Sequence, residues 1–280
     1  MGVSGAVEHG LPLKTLDDAL RIRNLLQDIV RAARGGGARA RIVVVGAGPT
    51  GTETAAYLFD RFRLEKIPSY RAPDVTLIDS ARTILPDGSY TRSVRNKAMR
   101  RMQEFGLNVL LNARVEKVTP DSLYLDSGVK MRQDLLVWCG GLAADTGLLA
   151  PLNAPLGPMA RAEVAPGMFL ENAPHIFVLG DAAMVRYGAA RRTLPCSAQY
   201  ALQQAEVVAH NVALRALGRG QIKNYVPDRR GEFVSIGRNE AVGWIGLLEV
   251  LGRDAQLLKN AILANYLAGI GINPVRWFMP

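Results

Sequence analysis

The 280 residues are enough for one large domain or two ordinary ones. At 49% hydrophobic and 21% charged, the composition is that of a packed globular protein and excludes wholesale disorder. A net charge of +9 favours phosphates, nucleotides or anionic membrane surfaces as partners, while two cysteines and three histidines exclude a disulfide framework and a histidine-rich metal site.

The opening, MGVSGAVEHGLP, lacks the basic start and apolar core of a secretory leader, and Ala6 stands where a myristoylation pattern wants Ser or Thr. Residues 15–33 predict an amphipathic helix. Thr15 is its N-cap, Asp17 and Asp18 suit its first turn, and Ala19, Ile22, Leu26, Ile29, Val30 and Ala33 recur at helical spacing. Gly35, Gly36 and Gly37 end it. Residues 42–45, all β-branched, predict a strand buried on both faces of a parallel sheet. GAGPTG and the helical TETAAYLFDRF follow, then a second buried strand at 75–78 closed by Asp79. A helix at 91–105 and a strand at 107–111 come next. The short pieces VEKVT, SLYLDSG and VKM read as an antiparallel meander, and 135–138 as an apolar strand ending on Gly140.

The Pro- and Gly-rich stretch 150–174 reads as a connection between units. A strand at 176–179 leads to Gly180 and Asp181, a long helix covers 197–217, and 233–236 with 241–242 suggest a hairpin. The tail from 246 is leucine-rich, but no apolar run reaches the roughly 18 residues that span a bilayer.

Gly46, Gly48 and Gly51 form G-x-G-x-x-G between a buried strand and a helix, the context in which that pattern binds a dinucleotide. Gly46 permits the turn, Gly48 admits a pyrophosphate to the backbone, and Gly51 lets helix pack on strand. Pro49 and Thr50 open the helix whose N-terminus attracts that pyrophosphate. Asp79 can accept both ribose hydroxyls, favouring NAD(H), although it lies further from the motif than the usual ~20 residues. Arg82 keeps the 2′-phosphorylated form open. Glu53, in the first turn, reads equally as a carboxylate stabilised by the helix N-terminus or as a group facing the nicotinamide. Asp181 after Gly180 stands at a strand end, where open α/β sheets bind ligands. Gln199 and Gln203 lie one turn apart on the following helix, which opens at Ala198.

Together, GVSGAVEHGLPLKTLDDALRIRN, VVVGAGPTGTETA, LLVWCGG, FVLGDAA and AQYALQQ, in that order, make the chain resemble the type II NADH dehydrogenases. These are flavin-dependent NADH:quinone oxidoreductases with two dinucleotide-binding domains. The resemblance implies an α/β, Rossmann-like fold with a small meander and an α-helical C-terminal part, and FAD and NADH as cofactors. It implies that Asp181 meets the flavin ribitol, that Gln199 and Gln203 border a quinone tunnel, that Glu53 lies beside the nicotinamide, and that Lys259 borders the quinone site. The helix start at Ala198 would stabilise negative charge on the flavin.

The family's first glycine motif, for the ADP half of FAD, has no counterpart here, so the fold reads as N-terminally incomplete, with fragment and natural truncation both open. The implied segments are a remnant of the FAD-binding domain with a connecting helix (1–36), an NAD(H)-binding domain (37–150), the C-terminal part of the FAD-binding domain (151–230) and a membrane-associating region (231–280). From residue 182 onward there are twelve Lys and Arg against six Asp and Glu. Leu247, Leu248, Leu251, Leu258, Ile262, Tyr266 and Ile270 recur at helical spacing, edged by Trp244, Trp277 and Phe278. That pattern suits an interfacial anchor on anionic lipid, here the inner, cytoplasmic face of the cell membrane, against the plainer reading of a core-facing helix. A homodimer is left open. A sulfide:quinone reductase using Cys139 and Cys196, or a nucleotide-binding fragment or sensor without flavin, are the alternatives; no nucleic-acid module is recognised.

Overall fold

The computed structural model describes residues 2–86, 88–141, 143–145 and 147–273. The chain forms two compact units: Met1–Gly140 with Gly231–Pro280, and Gly141–Arg230.

The first unit opens with α1 (Ala6–His9), β1 (Leu11–Pro12) and α2 (Leu16–Arg34). Thr15 caps α2 as its sequence predicts: its hydroxyl accepts the Asp18 N–H at 3.1 Å and the Asp18 carboxylate accepts the Thr15 N–H at 2.9 Å. Then come β2 (Arg41–Val45), α3 (Pro49–Leu64), β3 (Asp74–Ile78), α4 (Arg92–Glu104), β4 (Asn108–Leu110), the meander β5 (Val115–Val118), β6 (Ser122–Leu125) and β7 (Lys130–Arg132), and β8 (Leu135–Trp138). A five-stranded sheet of order β1-β8-β2-β3-β4 is parallel throughout. Because side chains alternate across a strand, β2 feeds two cores. Ile42 and Val44 pack with Ala55, Leu58 and Phe62 of α3, whereas Val43 and Val45 pack with Leu123 and Leu125 of the meander. This double burial is why the strand reads as an uninterrupted apolar run.

The segment 1–36 and the segment after residue 230 do not stand apart from the nucleotide-type sheet. β15 (Gly231–Ser235), β16 (Ala241–Ile245) and β17 (Leu248–Leu251) form an antiparallel sheet followed by α6 (Gly252–Gly269). Val234, Ile236, Val242 and Trp244 join the same core as α3 and β2. Trp244 is therefore no interfacial edge residue: it is buried, and its indole N–H donates to the Ser89 carbonyl at 2.9 Å. Trp277 and Phe278 lie outside the described residues.

The second unit holds β9 (Ala162–Glu163), β10 (Phe169–Leu170), β11 (Ala173–Phe177), β12 (Ala183–Met184), β13 (Arg186–Tyr187), β14 (Arg192–Thr193) and α5 (Ala198–Leu217). The Pro- and Gly-rich stretch 150–174 is part of this unit's body rather than a connection, since Ala162, Met168 and Leu170 are fully buried with Leu194 and Tyr200. The strand expected at 176–179 begins earlier, at Ala173, because it pairs antiparallel with β10; the last residues of the expected run lead into a 3-10 turn, Gly180–Ala182.

Candidate functional site

In the first unit, the residues the glycine motif singles out meet at one loop. Gly46 is left-handed at φ +104°, and a Cβ there would stand 2.7 Å from the Gly140 nitrogen. A Cβ on Gly51 would stand 1.7 Å from the Gly46 carbonyl oxygen. These two glycines are demanded by packing between α3, β2 and the end of β8. Gly48 differs: nothing lies within 4 Å of where its Cβ would be. It is the N-cap of α3, makes no side-chain cap bond, and is followed by Pro49 at the first helical position. Thr50 is exposed beside it. The arrangement offers an approachable backbone and the positive end of a 16-residue helix, which is what an anionic pyrophosphate requires.

Asp79 closes β3 and turns back on this loop. One carboxylate oxygen accepts the Ala47 N–H at 2.5 Å and the other the Ala81 N–H at 2.7 Å. The Ala47 carbonyl in turn accepts the Leu85 N–H at 2.7 Å. Asp79 thus braces the glycine loop. Gly140 completes the loop's floor, its carbonyl accepting the Trp138 indole N–H at 2.8 Å.

Glu53 and Lys259, separated by 206 positions, are brought together. The Glu53 carboxylate accepts from the Lys259 ammonium and from the Ser235 N–H at 2.9 Å, and Lys259 also donates to the Ser235 hydroxyl at 2.8 Å. The pair is about one-third exposed. Glu53 and Ser235 also line a cavity of about 1050 Å³ that runs between Ile22 and Leu26 of α2 and Leu58 of α3.

In the second unit, Gly180 is left-handed at φ +65° and Asp181 is exposed on the 3-10 turn. The turn is fixed by a residue the sequence did not single out: Gln204, 1% exposed, accepts the Gly180 N–H at 2.6 Å. The doubled glutamine of ALQQ was its only signal. A second such residue is Arg161, 2% exposed, which donates to the Ala183 carbonyl at 2.5 Å and the Leu194 carbonyl at 2.8 Å and so ties the two ends of the β12–β14 segment. α5 starts at Ala198, which is exposed, and its N-cap Ser197 makes no side-chain cap bond.

Gln199 and Gln203 share a face of α5, and both engage the returning chain. The Gln203 amide donates to the Asp228 carbonyl at 2.8 Å and accepts the Asp228 N–H at 2.9 Å, while Gln199 accepts the Arg230 N–H at 3.2 Å. Neither cysteine is poised as a thiolate. Burial pushes the Cys139 thiol up to about 11 against a hydrogen bond with Thr54, and burial likewise raises Cys196 against the nearby Arg161 charge. Among the described residues no cluster of His, Cys, Asp and Glu could hold a metal ion.

The chain is 28% identical over 277 residues to the type II NADH:quinone oxidoreductase Ndh of Mycobacterium tuberculosis, covering 92% of this chain and 58% of that protein. It is 27% identical over 266 residues to the demethylphylloquinone reductase NdbB of a Synechocystis strain, covering 94% and 62%. It therefore spans about three-fifths of these relatives' length. The structure of NDH2 from Plasmodium falciparum in complex with NADH superposes with a TM-score of 0.80 at 19% identity, over 95% of this chain and 71% of that one. The fold is thus shared, with its parallel sheet and helical C-terminal part. The family model described as pyridine nucleotide-disulphide oxidoreductase matches residues 1–205, the span that holds both the braced glycine loop and the Gly180–Asp181 turn, and this chain is a member of that family.

Proposed function

We propose that this chain serves NADH:quinone oxidoreduction, with NADH held at the glycine loop of the first unit and FAD contacted by the Gly180–Ala198 region of the second. The observation that carries the reading is the contrast inside the loop: Gly46 and Gly51 are required by packing, whereas Gly48 leaves open the space a pyrophosphate would take. The names of the mycobacterial and cyanobacterial relatives, and the NADH in the Plasmodium structure, support it.

The second unit fits part of a flavin nucleotide. Asp181 offers an exposed carboxylate for ribitol hydroxyls, and the uncapped start of α5 at Ala198 offers N–H groups and positive potential for an electron-rich ring edge. When bound, FAD supplies the two-electron relay between nicotinamide and quinone. The chain's own share is placement and charge. The α3 N-terminus orients the pyrophosphate, Asp79 steadies the loop beneath it, and Glu53, paired with Lys259, sets a carboxylate at the nicotinamide end. Gln199 and Gln203 would meet the quinone from the face on which they hold residues 228–230.

The reading includes a peripheral seat on the cytoplasmic face of the cell membrane. Leu258, Ile262 and Tyr266 of α6 and Ile270 just beyond it recur every fourth residue and are 37–53% exposed, with Leu247 and Leu248 exposed at the start of β17. A helix that turns an apolar stripe outward suits the interface of a lipid bilayer, and no described helix is long and apolar enough to cross one.

The test is oxidation of NADH by the purified chain with added FAD and a short-chain quinone. Quinone-dependent turnover is expected. Glu53→Gln should lower kcat about tenfold or more, while shifting stability by under about 1 kcal/mol, because the pair it breaks is partly exposed. NADH binding without quinone-dependent oxidation at saturating FAD would overturn the oxidoreductase reading and leave a nucleotide-binding protein.

A further inference from the structure

We propose that the groove between α2 and α3 of the first unit binds a long-chain fatty acid, its carboxylate seated on Arg34 and Arg61 and its hydrocarbon chain lying toward Glu53. The inference goes beyond the nucleotide reading of the glycine loop and does not depend on it.

The groove is the cavity of about 1050 Å³ that Glu53 and Ser235 line, roomy for a single organic ligand. α2 gives it two adjoining stripes. Ile22, Leu26 and Val30, four residues apart, make an apolar wall, and Arg23, Gln27 and Arg31, one position on, make a polar rim. Leu58 of α3 closes the apolar wall from the other side.

The two ends of the groove differ in charge. At one end the Glu53 carboxylate is met by the Lys259 ammonium, a neutral pair. At the other, Glu65 sits between two guanidinium groups: Arg34 Nη2 reaches one carboxylate oxygen at 2.6 Å and Arg61 Nη2 the other at 2.5 Å. Among the described residues Glu65 is the only carboxylate that either arginine meets, so one positive charge is left unmatched. The Glu65 side chain is 15% exposed, against 57% for Arg34 and 44% for Arg61, so the solvent-facing part of this cluster is guanidinium. Each guanidinium carries five N–H donors and commits one nitrogen to Glu65, which leaves donors for a second carboxylate.

A single unmatched positive charge suits a monoanion rather than a phosphate dianion. Glu53 and Glu65 stand twelve positions apart along α3 and its C-cap, about 18 Å of helix, so a ligand held at the arginines needs a long apolar body to use the wall. An acyl chain ending in a carboxylate has that shape and that charge.

The experiment titrates the full chain with cis-parinaric acid, a fatty acid whose fluorescence rises in apolar surroundings. Palmitate is then used to displace it, with cetyl alcohol, of equal chain length and no charge, as the comparison. Saturable binding is expected, with palmitate at least about tenfold the better competitor. Arg34→Ala and Arg61→Ala should each weaken palmitate about tenfold, whereas Arg92→Ala on α4 and Ile262→Ser on α6 should leave its affinity unchanged. The two Arg–Glu pairs are partly exposed, so the arginine variants should melt close to the parent. Leu26→Trp narrows the groove without altering a charge; it should weaken palmitate by a similar factor, and it decides the matter if an arginine variant does not fold. Absence of saturable binding, equal displacement by acid and alcohol, or Arg34, Arg61 and Leu26 variants that bind as the parent does would each overturn the proposal. Loss of binding in Ile262→Ser alone would put the fatty acid on the exposed stripe of α6 and overturn it as well.

Discussion

The two glycine turns of this chain are held by opposite means. The Gly46–Gly51 turn is held by close packing, with backbone meeting backbone where side chains would be. The Gly180–Ala182 turn is loosely surrounded, a Cβ on Gly180 reaching only Ala201 at 3.6 Å, and it is held by one buried amide, Gln204. A turn fixed by sterics announces itself locally in glycine spacing. One fixed by a distant side chain does not.

The largest effect should break the first turn. Gly51→Ala would drive a methyl into the Gly46 carbonyl and is expected to remove about 3 kcal/mol or more of stability together with nucleotide binding, as read by denaturant unfolding and NADH titration. Gly48→Ala sharpens the contrast: with open space around it and an ordinary φ of −67°, it should alter stability by less than about 0.5 kcal/mol yet weaken NADH about tenfold.

The second turn should respond to Gln204→Leu, which leaves the Gly180 N–H without its acceptor. A loss of about 1–3 kcal/mol is expected, with faster amide exchange at Gly180 and no change in NADH affinity. Protection at Gly180 equal to the parent's would show that the amide does not hold the turn.

The smallest effect concerns a contact away from both turns. Glu249 accepts from Lys97, Ser93 and Thr91, at 2.7, 2.7 and 2.8 Å, and these bonds, Lys97 first, pull its carboxyl down to about 2. A carboxyl depressed in the folded state adds stability that is fully present above its ordinary value and is lost as pH falls from there toward about 2. Glu249→Gln should therefore flatten the acid limb of the melting curve slightly and leave neutral-pH stability a little lower.

Much of the first unit was legible because its signals are short-range. Thr15 caps where its spacing says, residues 42–45 are the doubly buried strand, and the glycine loop lies between strand and helix. What escaped depends on partners far along the chain. β1 is two residues long and exists only through Val137 and Trp138 of β8, and β17 only through β16. Trp244 looks like an interfacial aromatic until Ser89 supplies a carbonyl for it inside the core. Gln199 and Gln203 were placed on one face by spacing, but their grip on residues 228–230 needs a fold to bring that segment back. Glu53 and Lys259 were each singled out, and only the tertiary structure shows that they form a pair.

The first unit is written in two instalments, residues 1–140 and 231–280, with ninety residues between them. Val234, Ile236, Val242 and Trp244 sit against the same helix and strand as Leu58 and Val44. On the ribosome, then, the nucleotide-type fold must wait with an open flank until residues 231–251 have been made, and the intervening unit has the chance to form first. Early termination near residue 230 would leave the second unit's sequence whole but strip the first of its apolar cover, so that the segment after residue 230 is the closing piece of a unit begun by residues 1–140.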